Sequence, residues 1–363
     1  MKKFFHPLSA ITAAILIICA CNGNGSDPGD DPGTPGRQVT PSFATGSDVS
    51  WLSEMEKDGR KFSDDSGNTD LFVILKGLGQ NSIRLRVWVG PQGGWSGKDD
   101  VVSLAGRAAA AGLSIMIDFH YSDFFADPSR QTIPAAWTDH TPASLAGKVK
   151  DHTTEVLSAL KAAGISPAWV QVGNETRNGM LWPVGKLWKS SDSDTDTPGG
   201  WNNYATLFKA GYSAVKAVFP DAKVIAHLDR GQEENEWWFN DLKTHGAAFD
   251  MIGLSYYPTK GSWTSSNSAL ASNIKKLGTS FGVPVMVSEI GIEASDLSDG
   301  AKCISDVMSK IKPLECCAGV FYWEPEVYGG WKPAIYNSLG WAPYAKGAFT
   351  SAGKPSEALK AMK

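Results

Sequence analysis

The chain has 363 residues, 42% of them hydrophobic and 20% charged, and its 34 basic against 38 acidic side chains leave a formal net charge of -4. With that balance and no basic stripe or nucleic-acid motif, a polyanionic partner is disfavoured and no nucleic acid is expected. Cys303, Cys316 and Cys317 make no metal-ligand spacing with any histidine pair; an exported address would permit one disulfide, Cys303 to Cys316 or Cys317, and three reduced core cysteines is the equal alternative.

Lys2 and Lys3 precede an apolar run from Leu8 to Ala20. This run is well short of the roughly 20 residues a membrane-spanning helix needs, and it reads as an export signal. Ile18-Cys19-Ala20-Cys21 resembles a bacterial lipoprotein processing box. That resemblance implies a signal over 1–21, a lipid anchor on Cys21, and an exported protein on the outer membrane or cell surface, the periplasmic side staying open. Residues 22–38 are rich in Gly, Pro and Asp, cannot build a core, and are expected to be a linker. The folded domain is then 39–363 and is expected to be monomeric.

Eight short apolar or β-branched runs follow, at 43–49, 82–89, 113–120, 168–175, 223–229, 251–257, 283–289 and 319–324. Helical patterns over 99–111, 144–163, 202–219, 233–245 and 269–280 lie between them. Strands alternating with helices pair in parallel, and eight repeats close a barrel, so the expected fold is α/β, a single (β/α)8 TIM barrel. Gly or Pro turns lead from helix to strand at Gly112, Gly164, Pro220, Gly246 and Gly282, whereas long segments follow strands three, four, six and eight. The long loops mark the face that carries chemistry.

The strand ends are polar for runs that otherwise read as buried: Arg84 and Arg86, Asp118 and His120, Asn174 and Glu175, His227 and Asp229, Tyr256 and Tyr257, Glu289, and Trp323 with Glu324. Cleaving a glycosidic bond takes two carboxylates, one to protonate the leaving oxygen and one to attack or to activate water. Glu175 ends strand four and Glu289 ends strand seven, on opposed parts of the ring, and they are assigned as acid/base and nucleophile. Asn174 suits a sugar hydroxyl. Arg86, nearer the rim than Arg84, is expected to keep Glu289 ionised, with Tyr256 or Tyr257 donating a hydroxyl to it. Trp88, Trp137, Trp182, Trp323 and Trp331 are candidate sugar platforms, and Asp118, His120, Asp123 and Asp127 candidate ligands of sugar hydroxyls. Two readings compete with this one: an endo-β-1,4-glycanase acting on mannan or cellulose, and a surface glycan-binding lipoprotein without turnover.

The blocks Gly46-Ser47-Asp48-Val49-Ser50-Trp51, Arg84-Leu85-Arg86-Val87-Trp88, Asp118-Phe119-His120-Tyr121-Ser122-Asp123, Ala126-Asp127-Pro128, Gln171-Val172-Gly173-Asn174-Glu175, Gly179-Met180-Leu181-Trp182-Pro183, Ser255-Tyr256-Tyr257-Pro258 and Tyr322-Trp323-Glu324-Pro325 occur in this order. Together they resemble glycoside hydrolase family 53, the endo-β-1,4-galactanases. The resemblance implies retaining chemistry, endo attack on β-1,4-galactan or type I arabinogalactan of pectin, Glu175 as acid/base and Glu289 as nucleophile. Phe125 stands where members often carry Trp, and Ser288-Glu289-Ile290-Gly291 varies the usual surroundings of the nucleophile. No cofactor is required for the two-carboxylate reaction; the resemblance leaves room for a structural calcium near Asp296, Asp299 and Glu326. The tract Asp192-Ser193-Asp194-Thr195-Asp196 lacks the following Gly and late Glu of a calcium loop and is expected to be solvated.

Overall fold

A computed structural model describes residues 40–293 and 297–363. The leader and linker over 1–38, with Cys21, and the calcium candidate Asp296 lie outside the described residues.

Eight parallel strands close into a barrel: β1 (Ala44–Asp48), β2 (Ser82–Val87), β3 (Ser114–Phe119), β4 (Trp169–Val172), β5 (Lys223–Leu228), β6 (Met251–Tyr256), β7 (Val285–Ile290) and β8 (Cys317–Trp323). Each strand pairs with its sequence neighbours, and β1 closes the ring against β8. Helices α1 (Leu52–Lys57), α2 (Leu71–Gly77), α3 (Lys98–Ala110), α4 (Pro142–Ala162), α5 (Gly200–Val218), α6 (Glu236–Thr244), α7 (Trp263–Phe281) and α8 (Leu297–Ile311) fill the crossovers, followed by short α9 (Ala334–Leu339) and α10 (Glu357–Lys360). The expected (β/α)8 barrel is therefore present.

Local chemistry starts and stops these elements. Asp70 caps α2 by accepting from the amides of Phe72 and Val73, and Thr141 caps α4 with Pro142 in the first turn, where no amide is needed. Gly112 takes φ 75°, which lets the chain reverse from α3 into β3 where a side chain would be strained.

Two cores result from the period-two alternation of the strands. Outward residues pack under the helices in one large cluster. Inward ones, Ala44, Met116, Trp169, Ile225, Met251, Met286 and Phe321, plug the barrel floor. Gly46 belongs to this interior by size: a Cβ there would sit 2.4 Å from the Phe321 ring. Above this floor the interior turns polar on six of the strands, with Asp48, Arg84, Asp118, Gln171, His227 and Ser255 all buried. The apolar floor leaves this layer to satisfy itself and face the opposite end, where the site lies.

Two strands depart from expectation where the site is built. β4 stops at Val172, and Glu175 follows on a bend with φ 46°. In β7 the register slips by one residue against both neighbours, between Val287 and the Glu289–Ile290 pair. Strict alternation would put Met286 and Ser288 inside and Glu289 outside. The bulge lets Ser288 and Glu289 both turn to the axis, while Ile290 returns to the outer core.

Candidate active site

Arg84 organises the polar layer. It is fully buried, and its guanidinium reaches Asp48 (2.8 Å), Asp118 (2.8 Å) and Glu289 (2.9 Å) as ion pairs. It also donates to Gln171 Oε1 (3.1 Å) and Asn174 Oδ1 (3.0 Å). Arginine is only a donor, so these contacts orient both amides. Gln171 then presents Nε2 to Asp118 Oδ1 (3.0 Å) and to His227 Nδ1 (2.9 Å), and Asn174 Nδ2 donates to Ala126 O (2.8 Å).

The same reasoning sets both histidines. His120 Nδ1 accepts from the Ala126 amide (2.9 Å), so Nε2 carries the proton and donates to Asp118 (2.9 Å). His227 Nδ1 accepts from Gln171 and from the Glu175 amide (3.3 Å); Asn174 Oδ1 also lies 3.1 Å from it but is already held by Arg84, and with two donors on Nδ1 the proton is assigned to Nε2, which donates to Ser255 Oγ (2.9 Å). Burial and the neighbouring Arg84 keep His227 neutral, well below its ordinary value. Ser255 is left with its hydroxyl proton to offer toward the Glu175 carboxyl, where it favours the ionised form against burial and the charge of Glu289.

The two glutamates line one cleft of about 300 Å³ with His120, Phe125, Asp127, Trp323 and Trp341. Glu289 is 3% exposed and accepts from Arg84 at Oε1 and from the Tyr257 hydroxyl at Oε2 (2.6 Å). Glu175 is half-buried at the rim. Burial raises both carboxyls; at Glu289 it is opposed by Arg84 and Tyr257, whereas at Glu175 the charge of Glu289 adds to it. Glu289 is therefore the first of the pair to ionise, and Glu175 holds its proton well above the ordinary carboxylate range. Such a pair, one anion and one acid, is what glycoside cleavage uses.

Several expectations need correction. Arg86 does not touch Glu289: its Nη1 pairs with Glu324 Oε1 (2.5 Å), and its guanidinium lies over the rings of Trp51 (4.1 Å), Phe125 (4.8 Å) and Trp88 (5.0 Å). Of the two tyrosines Tyr257 serves Glu289, and Tyr256 is buried with its hydroxyl on Asn267 (2.6 Å). Asp118 is fully buried beneath the cleft, where despite burial Arg84 and His120 hold it down at about 2. Asp123 braces a loop by accepting from the amides of Gly90 and Ala135. Trp88, Trp137 and Trp331 are buried packing residues, since each ring finds aromatic neighbours before it finds solvent. Trp182 is half-buried, donates to Asn178 O (2.7 Å), and lies under the Lys186 ammonium. Only Trp323 of these five lines the cleft.

Away from the cleft, Asp194 and Asp196 are not simply solvated: both carboxylates close on the buried Lys186 ammonium. Cys303, Cys316 and Cys317 are free thiols, so no disulfide forms among them. Of the calcium candidates, Asp299 accepts from Trp263 Nε1 and Glu326 accepts from the Trp51 amide. Among the described residues no group of three or more His, Cys, Asp or Glu is placed to hold a metal.

Sequence reasoning missed the wall formed by Tyr336, Trp341, Tyr344 and Lys346, which line the cleft from the segment after β8. Its signal was available, a long aromatic loop following the last strand.

A family model described as Glycosyl hydrolase family 53 matches residues 44–362. A probable arabinogalactan endo-β-1,4-galactanase A of Neosartorya fischeri is 34% identical over 307 residues, covering 77% of this chain and 83% of its own length. An arabinogalactan endo-β-1,4-galactanase of Thermothelomyces thermophilus is 32% identical over 305 residues, covering 76% of this chain and 88% of its own. Among solved structures, one from a study of two fungal β-1,4-galactanases superposes with a TM-score of 0.74 at 30% identity, over 88% of this chain and 98% of that one.

Proposed function

The chain belongs to glycosyl hydrolase family 53, and from that premise we propose that it is a retaining endo-β-1,4-galactanase in which Glu289 is the nucleophile and Glu175 the acid/base. The observation that carries the role assignment is the asymmetry of the pair: Glu289 accepts from Arg84 and Tyr257, whereas at Glu175 the charge of Glu289 adds to burial.

The reaction follows from that asymmetry. A galactosyl unit sits against Trp323 with its anomeric carbon above Glu289. Ionised Glu289 attacks that carbon as Glu175 gives its proton to the departing glycosidic oxygen, leaving a galactosyl ester and a shortened chain. Esterification removes the negative charge that kept the Glu175 proton on, so Glu175 is now a base. It takes a proton from water, whose oxygen displaces Glu289 with a second inversion. Arg84 and Tyr257 receive the charge as it returns to Glu289.

Azide separates the two roles. Glu175→Ala should lose activity on galactan, and on an activated aryl β-galactoside added azide should restore turnover with a β-galactosyl azide as product. Glu289→Ala should yield the α-azide if azide rescues it at all. The reverse pattern of anomers would exchange the roles. Product sizing over time on galactan, mannan and soluble cellulose checks substrate and mode; faster cleavage of either rival polymer overturns the galactanase reading.

The same proposal places the domain on the cell surface, acylated at Cys21 and tethered by residues 22–38, where galactan side chains of pectin are within reach. A radiolabelled fatty acid should mark the wild type and not Cys21→Ser. Protease treatment of intact cells distinguishes an outer from a periplasmic location.

A further inference from the structure

The cleft has a second half that the two glutamates do not share. A cavity of about 330 Å³ is lined by Glu175 together with Pro128, Asp229, Arg230, Gln232, Ser255 and Tyr257; Tyr257 borders the first cleft as well, and Glu289 is not among the walls of this one. The nucleophile must lie under the sugar that becomes the ester, whereas the acid must touch the oxygen between that sugar and the departing one. Space that meets the acid and not the nucleophile therefore receives the leaving group. This identification rests on the reading of Glu175 as the acid.

The wall of this half is tied by hydrogen bonds to the segments that carry an exposed aromatic pair. Arg177 joins the loop after β4 to the start of α6, with Nε on Asp229 Oδ1 (2.6 Å) and Nη2 on Asn235 Oδ1 (2.9 Å). Trp238 Nε1 returns a bond to Arg177 O (2.8 Å). The next residue, Asn178, pins the backbone of Trp188 on both sides, through Trp188 N (2.9 Å) and Trp188 O (3.0 Å). By chain length alone the Cα of Asn178 is within about 11 Å of that of Glu175. Trp237 lies in the first turn of α6, and a helix that follows a barrel strand begins on the catalytic face.

Trp188 and Trp237 meet at a ring separation of 6.0 Å and an angle of 47°. They are 36% and 47% exposed, whereas Trp51, Trp88, Trp137, Trp169, Trp238 and Trp331 are all buried. Two adjacent indoles left in water, on segments hydrogen-bonded to the wall of the acid's side of the cleft, form a paired apolar surface. The axial O4 of galactose leaves C3–H, C4–H and C5–H on one face of the ring, an apolar patch that suits an indole. We propose that Trp188 and Trp237 are a binding platform for the leaving-group side of the substrate, a β-1,4-linked galactosyl chain several units beyond the scissile bond.

The test compares a long and a short leaving group in Trp188→Ala/Trp237→Ala, with the single variants and Trp188→Phe/Trp237→Phe beside it. The ratio of kcat/KM on galactan to that on an activated aryl β-galactobioside should fall roughly tenfold in the alanine variant, the size of one well-packed aromatic contact. The fall should reside in KM, and the phenylalanine variant should recover most of it. In affinity electrophoresis through galactan, Glu289→Ala should be retarded, and adding both alanine substitutions should reduce the retardation. An unchanged ratio, or an equal loss on both substrates, overturns the platform. Wild-type enzyme that cleaves no galactan, and Glu289→Ala that is not retarded, would instead overturn the galactanase reading.

Discussion

Arg84 Nη2 donates to Glu289 Oε1 at 2.9 Å from a position fully buried on the barrel axis, while the same guanidinium also pairs with Asp48 and Asp118. One cation therefore serves three carboxylates, and it cannot be replaced by a point charge. Arg84→Lys is expected to lower kcat/KM roughly a hundredfold because the five-acceptor fan is lost. With weaker compensation Glu289 holds its proton to higher pH, so the acidic limb of the kcat/KM profile moves up. Arg84→Met should also destabilise the fold by about 3–5 kcal/mol, read from urea midpoints, because buried carboxylates lose their partner.

Tyr257 gives the second bond to the nucleophile, at 2.6 Å, and its own proton is held well above the ordinary tyrosine range by burial and by Glu289. Tyr257→Phe keeps the ring and removes the donor. A hydrogen bond to a charged group contributes about 1.5–3 kcal/mol, so kcat/KM should drop roughly 10- to 100-fold with the acidic limb again moved upward. Tyr256→Phe, which breaks only the bond to Asn267, should leave that limb in place.

Ser255 acts on the other limb. His227 occupies its acceptor with Nε2–H, so the hydroxyl proton favours the ionised form of Glu175. In Ser255→Ala the Glu175 carboxyl should keep its proton to higher pH, which shifts the basic limb of the profile upward without moving the acidic one. A basic limb that stayed put or moved down would reject the tautomer assigned to His227.

Glu324 offers a prediction about stability. Burial raises it from the usual 4.5 to about 7, with Asp48 adding to the rise and Arg86 opposing it. A carboxyl raised in the folded state contributes stability that is fully present below its unfolded value and is lost as pH climbs through the folded one. The contribution is about 3 kcal/mol, disappearing between about pH 4.5 and 7. Glu324→Gln mimics the protonated form, so its unfolding free energy should fall less than that of wild type across this window, by about that amount.

Much of this protein was legible along the chain. The eight strands were readable because β-branched and apolar runs are separated by helical periodicity and ended by Gly or Pro turns, and both glutamates were readable because each closes such a run. The choice between Arg84 and Arg86 was not. Period two puts both on the inner face, and only the ring of neighbours decides that the lower one meets Asp48, Asp118 and Glu289 while the upper one goes to Glu324. Nor could the sequence say which tryptophans are platforms, since an indole beyond a strand end packs or stays wet according to segments far away in the chain, as Trp51 and Trp331 show. Glu289 is the sharpest case: alternation alone sends its side chain out under the helices, and its inward turn depends on a bulge created where β7 slips against both β6 and β8. Local patterning determined the barrel and the pair of carboxylates, because turns and side-chain period act over a few residues. Which side chain serves which carboxylate was decided by closure of the ring, because those contacts join residues as distant as Arg84 and Glu289.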